Sequence, residues 1–568
     1  MSTHSPHISQ HESFLWSSDP LVQPVGLRAV STISQLAAEG NPSSQLSLTT
    51  EIDIPALASA LRLSLDRSTI KYLASPRLIA GCLRVLKITS ELRPRPISPF
   101  SHEIDRTCFR LLVVALNICL LDRWNKLDSL LEVPGPMTHG QSAYAAVESA
   151  VPREVLCQLD VASSGGDCDW VFGWSTSAHH SNLALLLSQS DVSYLLNLLW
   201  DDRKYWLQAM ISFANPALSG LMFLFSRYVA FERDSQHNPR WEIIRDRAWE
   251  LTLRYTLVAE KDQLFATCDT ADTYTSYNRR PMQVDAGDSR TIMSAFIKRL
   301  SFGYDVDMVS RHDLTVMLRF IPHIVDESCQ DLLPELIRQT IRHGWMVTLS
   351  EEEKSIGGSK KLDQFVWLQL SALLFLVRPA LVGSYSLNLT TKLKIFDVLQ
   401  TEDLLDWIAR IIIQLKPCNL GSRKGFLNQI NAFFKGLCEG VTKGELEKHF
   451  IGYILDWLKI SGHMLALGSG GYATASVSYR EHYKDCLDTW VKIARIIVIQ
   501  PAIERYIHIQ CYSPRCSNAY PYTAARFACV EYASRAYCDN RCQSTAWRFG
   551  DTHGNPGHRD ECTRVSHV

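Results

Sequence analysis

Apolar residues recur along most of the chain at helical spacing, three or four positions apart, with short polar breaks between the runs. Leu404, Ile408, Ile411 and Leu415 form one such stripe, flanked by Leu405 and Ile412. Thr401, followed by Glu402 and Asp403, offers this stripe an N-cap with acids in the first turn. Comparable segments lie near 104–122, 193–213, 216–231, 240–260, 330–346, 362–378, 445–460 and 480–507. Strand-like alternation is rare. The breaks are of the usual kinds: Arg93-Pro94-Arg95-Pro96, Pro134-Gly135-Pro136, the polar run Thr270–Ser289, and Gly357-Gly358-Ser359-Lys360-Lys361. The pattern predicts an all-α fold, a multi-helix scaffold over 51–507 whose expected shape is armadillo-like stacked helices. Residues 1–50, rich in Ser, Thr, Gln and His and poor in aromatics, read as an unstructured leader.

A repeat would support the stacked shape. Leu405-Asp406-Trp407-Ile408, Leu455-Asp456-Trp457-Leu458 and Asp488-Thr489-Trp490-Val491 share a loose signature, yet their tryptophans are spaced by 50 and then 33 residues. No fixed period exists, and amphipathic helices with one Trp in each core stripe account for all three.

Composition narrows the class. In 568 residues, 58 Lys+Arg stand against 59 Asp+Glu, which argues against a body that binds nucleic acid or an anionic membrane as a whole. Hydrophobic content of 46% supplies large cores, and 28 Gly with 23 Pro are too few for a collagenous or loop-dominated chain. The polar N-terminus lacks a signal-peptide core. Leu111–Leu121 is too short for a membrane span, and Leu368–Val382 is broken by Gln369, Arg378 and Pro379, so both read as buried helices. An intracellular protein is expected, with cytoplasm and nucleus undecided.

Cysteine changes the picture. Six of the 16 fall in the last 58 residues, where an even spread would put fewer than two. They run Cys511-x4-Cys516, Cys529, Cys538-x3-Cys542, then His558-x3-Cys562. Zinc takes four thiolate or imidazole ligands at tetrahedral geometry, and a segment this short with little apolar matter needs a staple to fold. Disulfides fit an intracellular chain poorly. The expected cofactor is Zn²⁺.

The order of these residues, with Tyr537-Cys538-x3-Cys542-Gln543-x3-Trp547 at its centre and His558-Arg559-Asp560-Glu561-Cys562 at its end, resembles the MYND-type zinc finger, in its fungal C-terminal form. The resemblance covers 511–562; the helical body resembles no family. It implies two interleaved zinc sites. The first would be Cys511, Cys516, Cys538 and Cys542, all present. The second would join Cys529, His558 and Cys562 to a cysteine at 532, where this chain has Tyr532, a phenol of pKa about 10 replacing a thiol of about 8.5. Arg548–Gly557 is also longer than the family's usual spacing. Either Asp551 or His553 supplies the missing ligand, or the second site is weakened, or an exon edge is misplaced. A weakened site, completed by water or an inserted side chain, is favoured.

The resemblance also implies binding of proline-containing peptides by β-augmentation, with Gln543 and Trp547 in contact. Gln543 is expected to be the better exposed, and packing over the zinc core is an equal expectation for Trp547. The arginines around the cysteines, Arg541 and Arg548 among them, read as charge balance for a thiolate-rich site. Acids dilute them and no recognition-helix pattern is present, so nucleic-acid binding is not expected. An all-cysteine site is closed and does no chemistry. The rival is an enzyme in the helical body, above all a SET-type methyltransferase, but only six residues follow Cys562 and no cofactor run is found upstream. Gly468-Ser469-Gly470-Gly471 reads as an interhelical loop, and Asp167-Cys168-Asp169 and His179-His180 lack partners at ligand spacing. The sequence therefore predicts a non-enzymatic, zinc-binding interaction protein.

Overall fold

A computed structural model describes residues 22–37, 52–92, 98–132, 142–175, 183–212, 217–234, 241–272, 284–301, 320–354, 360–379, 385–414, 420–468, 477–507, 513, 527–528, 536–537 and 540–548. Among them the fold is all-α apart from one ladder of two-residue strands. The chain divides into two compact units, 1–283 with 294–317, and 284–293 with 318–568. The single scaffold expected over 51–507 is therefore two bodies.

The first unit holds α1 (Val22–Leu36), α2 (Ile54–Arg62), α3 (Pro76–Leu92), α4 (Glu103–Arg123), α5 (Leu127–Glu132), α6 (Ala143–Ser163), α7 (Gln189–Asp201), α8 (Arg203–Ser212), α9 (Ser219–Asp234), α10 (Trp241–Thr256) and α11 (Lys261–Asp272). Helix α4 is its centre and packs against α2, α3, α6 and α9. Every residue from Leu111 to Leu121 is buried, as an apolar run too short for a membrane requires.

The leader reading over 1–50 needs correction at α1. Its Ala29, Val30, Ile33 and Leu36 are buried. Two glycines let it dock: a Cβ on Gly26 would fall 2.5 Å from the Ser59 carbonyl oxygen of α2, and one on Gly81 of α3 would fall 1.9 Å from that of Ile33. Tertiary packing at these backbone contacts holds a helix that local composition disfavours.

The segment expected near 193–213 is two helices. Asp202 breaks it, because its carboxylate accepts hydrogen bonds from the Ser98 hydroxyl and the Phe100 N–H. Burial raises the Asp202 carboxyl to about 6, against the pull of those two donors.

Helix α12 (Ala286–Ser301) gives residues to both units. The second unit continues through α13 (Leu333–Lys354), α14 (Lys360–Val377), α15 (Leu389–Thr401), α16 (Leu404–Gln414), α17 (Leu420–Cys438), α18 (Lys443–Phe450), α19 (Ile454–Gly468), α20 (Val477–Ile496) and α21 (Gln500–Ile507). Helices pack in two rows, α13 on α15 on α18, and α14 on α17 on α20.

The α16 stripe is buried as expected at Leu404, Leu405, Ile408, Ile411 and Ile412, with Leu415 outside the described residues. Its start is not. Thr401 ends α15, and the chain reverses at Glu402 and Asp403. The Glu402 carboxylate grips Arg342 through two bonds of 2.7 and 2.9 Å, and its carbonyl accepts from the Trp345 indole. Asp403 then takes a left-handed φ of 49°, and its carbonyl receives the Trp407 N–H. The long-range grip on Glu402 outweighs the local capping preference of Thr401.

Candidate metal centre

After α21 the described residues of the tail are Ser513, strand β1 (Phe527–Ala528), strand β2 (Ala536–Tyr537) and helix α22 (Asn540–Arg548). The strands pair antiparallel, Phe527 with Tyr537 and Ala528 with Ala536. Helix α22 packs on both strands, and β1 also lies against α19 of the body. The result is a ββα unit whose core is small: Tyr537, Cys542 and Ala546 are buried. Cys538 is the residue that follows β2, and Cys542 lies in the first turn of α22, so the C-x3-C pair spans the strand-to-helix junction.

Of the predicted zinc ligands, only Cys542 is among the described residues. Cys511, Cys516, Cys529, Cys538, His558 and Cys562 lie outside them, as do Tyr532, Asp551 and His553. Among the described residues no three His, Cys, Asp or Glu side chains gather into a metal-binding group. Cys542 itself is buried. Ser513, between Cys511 and Cys516, buries a hydroxyl that finds no hydrogen-bond partner among the described residues.

The flank of α22 next to its core face carries the other predicted residues. Cys542 and Ala546, four apart, point into the unit, and Gln543 and Trp547 follow each by one position. Trp547 is 40% exposed and Gln543 is half-buried. This reverses the expected order. One residue past a buried position leaves Gln543 at the rim of the core face, whereas the larger indole, near the end of the helix, reaches beyond it. Gln543, Ser544, Trp547 and Arg548 line an open hollow of about 260 Å³.

Elsewhere the sequence clusters resolve as structure. Asp169 holds Arg227 through bonds of 2.7 and 3.1 Å, while Cys168 is buried. The Gly468–Gly471 run begins at the end of α19, before α20. His179 and His180 lie outside the described residues. Sequence reading missed Tyr537 as the largest core side chain of the ββα unit, although its place next to Cys538 was in plain view. Ser513 was missed too; only its position between two cysteines pointed to it. Among the described residues no helix is long and apolar enough to cross a membrane.

No protein-family model matches the chain, and neither a curated protein nor a solved structure resembles it significantly.

Proposed function

We propose that the chain is a non-enzymatic interaction protein in which a helical body carries a C-terminal, zinc-stapled, MYND-like finger. The observation that carries this reading is the two-sidedness of α22. One face buries Cys542 and Ala546 against the hairpin, and the other offers Trp547, Gln543 and the hollow they line. In this reading Cys511, Cys516, Cys538 and Cys542 hold one Zn²⁺, with Ser513 donating to a thiolate. Cys529, His558 and Cys562 form a second site short of one ligand at Tyr532. A closed thiolate site stabilises the fold and leaves the peptide-binding face to do the work. The ligand is a proline-containing segment added along the finger, in contact with Gln543 and Trp547.

The body in this reading is a stack of helices in the armadillo manner. Support comes from the two rows of packed helices in the second unit. Helices α16 and α19 each begin one residue before a Leu-Asp-Trp signature, 50 residues apart, and the helices ahead of them, α15 and α18, pack together. The third signature lies within α20, a different position in the stack, which explains the broken spacing.

Elemental analysis of the purified full chain tests the finger. One zinc per chain that is lost in Cys538→Ser is the expected result; two would mean that another side chain replaces the missing thiolate, and none would sink the reading. Gln543→Ala and Trp547→Ala are expected to lose the partner in pull-down with zinc retained. Unchanged capture would move the interaction to the helical body.

A further inference from the structure

We infer that the hollow on α22 selects an acidic segment, one that places a carboxylate beside a proline or aliphatic residue. This rests on the finger reading above and adds the side chain that sets its specificity, Arg548. Two rows run along the exposed side of α22, Gln543 with Trp547 and Ser544 with Arg548, each pair four residues apart and so on one face. An extended ligand lying in the hollow meets an amide and an indole on one side and a hydroxyl and a guanidinium on the other. The apolar part of the ligand covers the indole, and its carboxylate reaches the planar donor fork of Arg548.

Charge favours this ligand over others. Helix α22 carries Arg541 and Arg548 and no acidic residue. Both arginines are exposed, and neither forms an ion pair among the described residues. They differ in duty. Arg541 precedes Cys542 and sits where it offsets thiolate charge, whereas Arg548 lies about 10 Å further along the helix axis and lines the hollow. Arg548 is therefore the cation at the ligand face.

The test uses the full chain, zinc-loaded, against a random-peptide library displayed on phage, with zinc content read on the same preparations. Wild type is expected to enrich peptides with Asp or Glu next to Pro or an aliphatic residue. Trp547→Ala abolishes enrichment. Arg548→Glu weakens the selected peptide by about tenfold or more and selects Lys or Arg in place of the acid, an inversion that a merely structural Arg548 would not produce. Replacing the peptide's acid by its amide lowers affinity for wild type and leaves Arg548→Gln unchanged. Selection without acid, an unchanged peptide set on Arg548→Glu, or stronger binding of an oligothymidine than of any peptide overturns the inference. Zinc-loaded chain that selects nothing also overturns it and leaves the finger standing, whereas a chain without zinc removes both.

Discussion

Both units bury aromatic rings and polar groups, but a hydrogen-bonded cluster in the first and a set of indoles in the second make an instructive pair. The first unit has a buried polar cluster. Asn117, at the centre of α4, donates 2.9 Å to the Tyr144 hydroxyl and 2.8 Å to the Ala217 carbonyl, fixing the left-handed turn that starts α9. Tyr255 accepts from the Leu218 N–H at 2.8 Å and donates to Gln263. Nearby, Arg254 and Glu250 form an ion pair at 2.7 Å with side chains 0% and 2% exposed. In the second unit three indoles lie fully buried. Trp457 and Trp490 stack with centroids 3.8 Å apart, and Trp407 lies fully buried with its indole donating 3.0 Å to Thr348. The cluster of the first unit is held by directional bonds, the stacked indoles of the second by shape. A satisfied polar core fails when one partner is removed, because the other is left desolvated; an aromatic core fails when volume is removed.

The largest expected effects break each unit by its own weakness. Trp490→Ala removes the stacked ring and opens a cavity, at a cost of about 3–5 kcal/mol. Hydrogen exchange followed peptide by peptide is expected to accelerate in α16, α19 and α20 and to stay unchanged in α4, α6 and α10. Arg254→Ala, which leaves the buried Glu250 with the longer 3.4 Å contact to Arg203 in place of the 2.7 Å pair, costs about 3 kcal/mol and gives the reverse pattern. Loosening of both units by either variant would mean that they are not separate bodies.

The units also differ in how far the sequence foretold them. The Trp-bearing helices of the second unit were legible, because a large apolar residue at helical spacing marks a core face wherever the neighbours lie. Helix α1 was not legible. What holds it is backbone proximity at Gly26 and Gly81, and nothing in a local window shows a carbonyl from another helix. The splits at Asp202 and Glu402 are of the same kind, since long-range partners decide them. In the candidate site cysteine spacing supplied the expectation of zinc, and of its ligands Cys542 alone lies among the described residues. Which of Gln543 and Trp547 faces solvent was not legible, because that depends on how the hairpin seats α22.

Acid sharpens the contrast more gently, and with opposite signs. In the first unit burial, helped by the charge of Glu260 and opposed by Arg110, raises Glu148 to about 7; Asp202 rises to about 6. A carboxyl whose folded pKa lies above its unfolded value binds more protons in the native state. Stability then falls as pH rises through the window between the two, and acidification restores it. In the second unit burial lowers His343 to about 4, and its Nε2 has no hydrogen-bond partner among the described residues. The unfolded chain takes up that proton first, so stability is lost as pH falls from about 6.5 toward 4, by about 2 kcal/mol between pH 7 and 5. Exchange measured at pH 7 and 5, corrected for intrinsic rates, is expected to slow around α6 and quicken around α13. His343→Phe should abolish only the second response; an acid response that survives it would assign the sensitivity to another group.

The smallest effect concerns a single backbone angle. Val498, between α20 and α21, holds a φ of 63°, a region β-branched side chains avoid. The turn is fixed on both sides: the Val498 N–H bonds the Arg495 carbonyl at 3.3 Å and the Ile499 N–H bonds that of Ala494 at 3.0 Å. Strain of about 1–3 kcal/mol is held there by the packing of Ile497 and Ile499, both fully buried. Val498→Gly relieves it and gives back part through the freedom of glycine in the unfolded chain, for a net gain of about 0.5–1 kcal/mol. The gain is expected as slower exchange in α20 and α21 alone. A loss would show that the Val498 side chain contributes more through packing than its backbone costs. The second unit would then depend on shape down to its turns.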